Sequence, residues 1–246
     1  MARRVRRSGG HGFGGWVWCC ISCCTWRCTR RSAWLGICRC IGRCSWRGVR
    51  LSQAGAAPAW LGLAALLGAS ALLAWPVPHT LLDWQPALAL TEPWRAFTAV
   101  AVHYSGMHLG ANLVGAVLVA ALGFVAQVPA RMVGAWAVAW PLTQLGLLLK
   151  PELLHYGGLS GVLHAGVAVA SLYLVMCGVR TQRWIGAAIL AGTCIKVLGE
   201  TPWGAPLRHG NGWDIAVAPL AHATGLMAGA LTAAGAQALA ARWRRP

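Results

Sequence analysis

From residue 57 onward the chain alternates long apolar runs with short polar segments. Apolar runs of about twenty residues are long enough for a helix to cross the hydrocarbon core of a bilayer. The pattern predicts six such helices, at residues 57–75, 107–128, 131–150, 159–179, 184–199 and 215–241. Glycine and alanine are frequent in these runs, which is typical of membrane helices that pack closely. The pattern therefore predicts an all-α polytopic membrane protein built as a six-helix bundle.

Charged residues between the apolar runs predict the orientation of this bundle. The positive-inside rule places Lys and Arg in cytoplasmic loops. One set of segments holds the basic residues Arg131, Arg180, Arg183, Arg242, Arg244 and Arg245. The opposite set holds every acidic residue of the chain, namely Asp83, Glu92, Glu152, Glu200 and Asp214. Both termini are therefore expected in the cytoplasm.

The composition supports a membrane protein and argues against a nucleic-acid partner. Hydrophobic residues make up 57% of the 246 positions and charged residues only 11%, which is too apolar for a soluble domain. The formal net charge is +16, but eleven of the 21 basic residues precede residue 51. The rest of the chain, with ten basic and five acidic residues, has a net charge of +5. Basic cytoplasmic loops account for that charge without nucleic acid.

The first 50 residues are basic and rich in cysteine, with eight of the ten cysteines of the chain. Their CC, CxC and CxxxC spacings overlap without the two separate pairs that a zinc site requires, so we expect no metal there. A disulfide scaffold does not suit a segment on the reducing, cytoplasmic side. We expect residues 1–50 to be a disordered extension, or a stretch translated from an upstream start with the true beginning at Val49 or Leu51. Residues 51–246 are expected to form the membrane domain.

Four polar residues lie near the outer ends of the second, fourth and sixth predicted helices. His108 and Asn112 fall in the first turns of the second helix, Ser160 opens the fourth, and His222 lies about seven residues into the sixth. All three helices enter the membrane from the outer face, so these side chains share a similar depth. Buried polar groups in a bilayer require partners, and a cluster at one depth supplies them.

These residue types suit nucleophilic catalysis. A serine hydroxyl becomes a nucleophile when an imidazole accepts its proton, which assigns Ser160 and His222 as a pair. No carboxylate lies near His222 along the sequence, so we predict a pair rather than a triad. His108 and Asn112 share a helix face and can donate to one oxyanion, together with backbone N–H groups at the helix start. Gly158 and Gly161 leave the space around Ser160 open.

Each feature alone also has a packing interpretation. The small residues of GLSG (158–161) are common where membrane helices touch. A single membrane histidine is often a hydrogen-bonded packing residue, and HxxxN is only a pair on one helix face. The joint placement of these residues on three helices that enter from one side favours a functional site.

Four motifs together resemble the rhomboid family of intramembrane serine proteases. They are EPWR (92–95), HYSGMHLGAN (103–112), GLSG (158–161) and AHATG (221–225), in family order over residues 57–241. The resemblance implies that Ser160 is the nucleophile and His222 the general base. It implies that His108, Asn112 and the Ser160 N–H stabilise the oxyanion. His103 matches a family position in the loop before the second helix, where fixing the loop is favoured over a part in proton transfer.

A narrower resemblance is to the rhombosortase branch, which processes proteins with a C-terminal Gly-Gly, transmembrane helix and basic end. GLSGVLHA extends the serine motif with His164, and Lys196 and Glu200 resemble the lysine–glutamate pair of that branch. AHATG departs from it, because no acidic residue shortly precedes the histidine. His164 has three open roles: a hydrogen bond to Ser160, a place in the substrate cleft, or packing, of which the last two are favoured.

The sequence thus predicts a serine endopeptidase of a bacterial inner membrane that cleaves membrane-anchored proteins near the periplasmic face, with no metal or organic cofactor. A rhomboid-like protein that binds membrane clients without cleaving them is the main alternative. It is disfavoured because both Ser160 and His222 are present. A transporter or channel would require acidic residues inside the apolar runs, where none is found. Nucleic-acid binding would depend on the basic N-terminal segment.

Overall fold

The computed structural model describes residues 56–209, 212 and 214–243. The predictions made for residues 1–50 lie outside the described residues. The described part is mainly helical, with α1 (Ala56–Leu73), α2 (Arg95–Thr98), α3 (Gly106–Val125), α4 (Ala130–Leu145), α5 (Ser160–Cys177), α6 (Arg180–Gly199) and α7 (Pro219–Arg242). Each of the six predicted apolar runs overlaps one of the long helices, with ends that differ by a few residues.

Four of these helices are long and apolar enough to cross a membrane: α3, α4 with its 3-10 extension to Leu149, α5 and α7. The helix α1 is apolar but shorter. The helix α6, which carries Arg180, Arg183 and Lys196, is not among the four. The prediction is therefore confirmed in a coarser form: the described chain is mostly helical, and four of its helices are long and apolar enough to cross a membrane.

The helix α5 lies at the centre of the bundle. It packs against α3, α4, α6 and α7, and more than half of its residues are buried. Two tryptophans tie the neighbouring helices together, because the rings of Trp60 on α1 and Trp136 on α4 lie 4.4 Å apart. The Trp136 indole N–H donates to the carbonyl oxygen of Val162 at 2.8 Å, so even the polar atom of this buried ring has a partner.

Glycines bring α5 and α7 into backbone contact. A Cβ atom on Gly225 would overlap the carbonyl oxygen of Gly161, and one on Gly229 would overlap that of Ala165. Small residues allow this approach, as is common between membrane helices. The close approach carries the beginning of α7 against the beginning of α5.

The outer surface of α3 is apolar and has no protein partner among the described residues. Val114 and Val117 each expose more than 60% of their surface. An exposed apolar face on a helix long enough to cross a membrane is suited to contact with lipid tails.

Two short antiparallel strands, β1 (Arg208–His209) and β2 (Ala216–Val217), lie in the segment between α6 and α7. Arg208 pairs with Val217 and His209 with Ala216. Asp214, just before β2, accepts a hydrogen bond of 2.7 Å from the hydroxyl of Ser105, the N-cap of α3. This contact links the β segment to the beginning of α3.

Candidate active site

The beginnings of α5 and α7 and the end of α6 meet at one place. Ser160 is the first residue of α5, and His222 is the fourth residue of α7. Glu200 follows the last residue of α6. The sequence placed His222 about seven residues into its helix, but α7 begins only at Pro219 because residues 216–217 form β2. His222 therefore lies in the first turn.

Ser160, His222 and Glu200 form a continuous hydrogen-bonded chain. The Ser160 Oγ atom lies 2.9 Å from His222 Nε2, and His222 Nδ1 lies 2.6 Å from Glu200 Oε2. A carboxylate only accepts hydrogen bonds, so Nδ1 carries the ring proton and Nε2 is left to accept from the serine hydroxyl. The predicted pair of Ser160 and His222 is thus corrected to a set of three that includes Glu200.

Glu200 is ionised in this arrangement. Partial burial alone would raise the pKa of its carboxyl group. The hydrogen bonds and electrostatic attraction of His222 and Lys196 outweigh that effect and lower the pKa of Glu200 to about 2. Glu200 is therefore a carboxylate throughout the neutral range, as an acceptor for His222 must be.

The backbone before α5 is shaped by glycine. Gly158 has a φ of +141°, which L side chains rarely adopt, and a Cβ there would lie 2.9 Å from His108 Nε2. Gly161 faces α7, since a Cβ there would lie 2.8 Å from the Ala221 carbonyl oxygen. Gly158 thus leaves room for the predicted oxyanion group, while Gly161 serves helix packing.

His108 and Asn112 lie on α3 across from Ser160, in the wall of the same cavity. The Nδ1 atom of His108 is buried and has no hydrogen-bond partner among the described residues. The Asn112 amide nitrogen lies 3.0 Å from His103 Nε2. Since an amide nitrogen donates two hydrogen bonds, Asn112 keeps one donor for another acceptor.

His103 is buried behind Asn112 and stands outside the cavity lining. Its Nδ1 atom lies 3.3 Å from the carbonyl oxygen of Ala101. Desolvation by burial lowers the pKa of His103, with the nearby His79 acting in the same direction and the Ala101 hydrogen bond opposing them. A neutral ring that donates through Nδ1 and accepts from Asn112 satisfies both contacts. His103 therefore links the loop before α3 to the Asn112 side chain.

His164 and Lys196 lie beside the His222 ring. The His164 ring stacks on that of His222, with centroids 4.3 Å apart and planes at 19°. His164 Nδ1 lies 2.7 Å from the backbone carbonyl oxygen of Ser160, one turn earlier on α5. Lys196 Nζ lies 2.6 Å from Glu200 Oε1. His164 thus contacts the Ser160 backbone, packs on His222 and lines the cavity.

A cavity of about 710 Å³ opens between α3, α5, α6, α7 and β2. Its polar lining is concentrated at Ser160, His222, Glu200, His164, Lys196, His108 and Asn112. Much of the remaining wall is apolar, with Leu118, Leu163 and Val167 as examples. Such a cavity suits an apolar chain segment whose polar backbone meets a few fixed groups. Within the described part of the chain, no three His, Cys, Asp or Glu side chains are grouped to hold a metal ion.

Two features of the site were not predicted from the sequence. The contact of Glu200 with His222 joins residues that are 22 positions apart, and no local pattern relates them. Tyr156 is buried below the serine loop, where its hydroxyl donates to the Gly158 carbonyl oxygen at 3.3 Å. Burial raises the pKa of Tyr156, so its hydroxyl stays protonated as this contact requires. The tyrosine directly before the Gly157–Gly158 pair was the available signal.

The chain was also compared with known proteins. No protein-family model matches it, and no curated protein matches it either.

Proposed function

We propose that this chain is an intramembrane serine endopeptidase of the rhomboid type, closest in its motifs to the rhombosortase branch. The observation that carries the proposal is the chain of hydrogen bonds from Ser160 through His222 to Glu200 at the wall of an apolar cavity. A serine, an imidazole and a carboxylate in this order are the parts of a hydrolytic triad, which is recognised by geometry and not by sequence position.

In the first half of the reaction, Ser160 Oγ attacks the carbonyl carbon of a peptide bond while its proton passes to His222 Nε2. Glu200 holds the ring by its Nδ1–H and stabilises the positive charge that forms on it. The carbonyl oxygen becomes an oxyanion that accepts from Asn112, His108 and the Ser160 backbone N–H. His222 then gives its proton to the leaving amine, the C–N bond breaks, and an ester to Ser160 remains.

In the second half, a water molecule gives a proton to His222 Nε2 and attacks the ester carbonyl. The tetrahedral intermediate collapses, the C–O bond to Ser160 breaks, and the proton returns to the serine oxygen. The product is a carboxylic acid, and Ser160 and His222 are regenerated. The reaction consumes one water and needs no cofactor.

The proposed substrate is a membrane-anchored protein cleaved near the periplasmic face of a bacterial inner membrane. In this arrangement six helices span the bilayer and both chain termini are cytoplasmic. A helical substrate must unwind locally before its peptide bond reaches Ser160. Glycine costs a helix about 1 kcal/mol relative to alanine, so a Gly-Gly sequence beside the substrate helix favours this unwinding. The rhombosortase resemblance of GLSGVLHA adds support for such a tail.

The test is cleavage of a reporter by the purified full chain in liposomes. The reporter carries Gly-Gly, one transmembrane helix and a basic C-terminal end. We expect cleavage by the wild type, none by Ser160→Ala, and retained cleavage by Ser171→Ala, a matched variant because Ser171 is a buried serine on the same helix. Cleavage that survives Ser160→Ala contradicts the proposal. Binding of the reporter by the wild type without cleavage would favour the non-catalytic rhomboid-like alternative.

A further inference from the structure

Lys196 contacts the proposed triad, although it is not one of the three triad residues. Its Nζ atom lies 2.6 Å from Glu200 Oε1, 3.2 Å from His164 Nε2 and 3.5 Å from His222 Nδ1. Lys196 is on α6, whereas His164 is on α5 and His222 on α7. One ammonium group therefore contacts a neighbour on each of two helices and the carboxylate at the end of its own.

The positions of the protons on the His164 ring follow from its two partners, because one can only accept a hydrogen bond and the other can only donate one. The Ser160 carbonyl oxygen accepts, so the His164 Nδ1 atom that lies 2.7 Å from it carries a hydrogen. An ammonium group only donates, so the His164 Nε2 atom that faces Lys196 must be an acceptor. His164 is thereby fixed as the neutral Nδ1–H tautomer. A second proton on Nε2 would point at the ammonium.

Lys196 acts on the other flank of His222 through Glu200. It donates to Oε1 and leaves Oε2 to accept from His222 Nδ1. Each carboxylate oxygen thus has one partner and the group has a fixed orientation. His222 Nδ1 already donates to Glu200, so its contact with the ammonium is not a hydrogen bond. His222 is left with Nε2 as its only accepting atom, and that atom faces the Ser160 hydroxyl.

We propose that Lys196 is a positioning residue of this site, which fixes Glu200 and His164 in the one proton arrangement that makes His222 a base toward Ser160. The His164 ring covers one face of the His222 ring. The Ser160 carbonyl oxygen at Nδ1 and the Lys196 ammonium at Nε2 fix the orientation of the His164 ring. The inference rests on the proposed hydrolase function, but the tautomer of His164 is a property of the folded chain alone.

The first experiment measures the rate at which a fluorophosphonate labels Ser160 in the full chain. Lys196→Met removes the ammonium at similar side-chain length. We expect labelling about 10- to 100-fold slower, by analogy with the loss that follows removal of a partner that orients a metal-bound histidine. Lys150→Met is the matched control, because Lys150 and Lys196 are the only two lysines of the chain and Lys150 contacts carbonyl oxygens at residues 203 and 204. This control should stay within about twofold of the wild type.

The variant Lys196→Arg keeps the positive charge and the hydrogen-bond donors at position 196. It therefore separates the loss of these interactions from the effect of changing the size of the side chain. Lys196 is half exposed, so a longer guanidinium can reach the same acceptors from the solvent side. We expect Lys196→Arg to recover most of the labelling rate that Lys196→Met loses. A wild-type rate in Lys196→Met, or no recovery in Lys196→Arg, would overturn the proposal.

The second experiment reads the tautomers directly by ¹⁵N NMR of the histidine-labelled chain in detergent. In the wild type we expect Nδ1–H signals for both His164 and His222, identified by their loss in His164→Phe and His222→Ala. In Lys196→Met, the Ser160 carbonyl oxygen still holds the Nδ1–H of His164, but Nε2 has lost its donor. The Nε2 signal of His164 should therefore move from that of a hydrogen-bonded acceptor to that of a free or protonated nitrogen. Unchanged His164 signals in a folded Lys196→Met chain would refute the proposal. Because this readout does not depend on turnover, it stands even if the wild type fails to label.

A second variant carries the test if Lys196→Met does not fold. His164→Phe keeps a ring that stacks on His222 but has no nitrogen to accept from Lys196. We expect it to slow labelling of Ser160 several-fold while the unfolding temperature stays close to that of the wild type. An unchanged labelling rate in His164→Phe would contradict the part assigned to His164.

Discussion

At the scale of single residues, the site depends on which atom carries each proton. Ser160, His222 and Glu200 are linked by contacts of 2.9 Å and 2.6 Å, and only a carboxylate at position 200 fixes His222 with its proton on Nδ1. An amide there presents either an NH₂ or a carbonyl group to the ring, so it no longer selects that tautomer. Glu200 is therefore expected to matter for rate more than for stability.

We predict that Glu200→Gln slows fluorophosphonate labelling of Ser160 by at least about 100-fold, because loss of the orienting carboxylate of a triad commonly costs several orders of magnitude. The matched control is Glu152→Gln in an outer loop, where residue 152 is exposed. This control should label at the wild-type rate. Equal rates for Glu200→Gln and the wild type would remove Glu200 from the triad.

His103 predicts how the stability of the chain depends on pH. Burial lowers the pKa of His103 below its ordinary value of 6.5, so the unfolded chain binds a proton at this residue before the folded chain does. Folding stability from this group is complete above pH 6.5 and decreases as the pH falls below that value, by up to about 1.4 kcal/mol per pH unit, until the folded state is protonated too.

The variant His103→Gln has no titrating group at this position, so its unfolding temperature should fall less than that of the wild type between pH 7.5 and pH 5.5. Thermal unfolding in a neutral detergent measures the difference. Parallel curves for the two proteins would mean that His103 does not stay neutral in the fold.

The sequence identified many of the residues in the site but not all of their partners. Ser160, His222, His108 and Asn112 were found because each lies near the start of an apolar run, and runs that enter from one side share a depth. The role of Glu200 was missed because hydrogen bonding between α6 and α7 depends on the crossing of two helices. Along the chain, Glu200 pairs only with Lys196, four residues earlier.

At the scale of elements, the contact between α5 and α7 holds Ser160 and His222 together. Gly225 on α7 lies directly against the Gly161 backbone, and Gly229 against that of Ala165. Interiors packed at this density tolerate little added volume. A methyl group at this contact must push the two helices apart, and the Ser160–His222 distance with them.

We predict that Gly225→Ala lowers the free energy of unfolding by about 1–3 kcal/mol or more and also slows Ser160 labelling. Gly235→Ala is the matched control, since it is the same change on the same helix and a Cβ there meets nothing within 4 Å. That control should be neutral or slightly stabilising, because alanine favours a helix over glycine. Denaturation in mixed detergent micelles measures the free energy of unfolding of both variants. Similar losses in the two variants would contradict the close-contact interpretation.

Hydropathy predicted the helices well because long apolar runs in a membrane have few alternatives to a helix. Hydropathy was less accurate in predicting the residues at which the helices begin and end. The predicted sixth run began at residue 215, but Ala216 and Val217 pair with β1, and Pro219 takes the first turn of α7, where proline is tolerated. Apolar character alone does not distinguish a short strand from the start of a helix.

At the scale of the whole molecule, the distribution of charge predicts which side of the bundle faces the cytoplasm. Arg131, Arg180 and Arg183 lie at one set of helix ends, while Asp83, Glu200 and Asp214 lie in the connections at the other set. Ser160, His222 and Glu200, the proposed triad, lie on the acidic side. The positive-inside rule predicts that this side faces away from the cytoplasm, where the proposed protease would meet its substrate.

We predict that a membrane-impermeant thiol reagent labels a single cysteine introduced at Glu152 in intact cells, in a chain whose other cysteines are replaced. A single cysteine at Arg242 should be labelled only after the cells are permeabilised. The reverse result would invert the topology and place the triad on the cytoplasmic side.

The central claim is that Ser160 is a nucleophile activated by His222. Mass spectrometry of peptides from the full chain, after treatment with a fluorophosphonate in membranes, tests it most directly. We predict one adduct, on the peptide that contains Ser160, and no adduct in Ser160→Ala or His222→Ala. A folded wild-type chain without an adduct, or an adduct that persists when Ser160 is replaced, would contradict the claim.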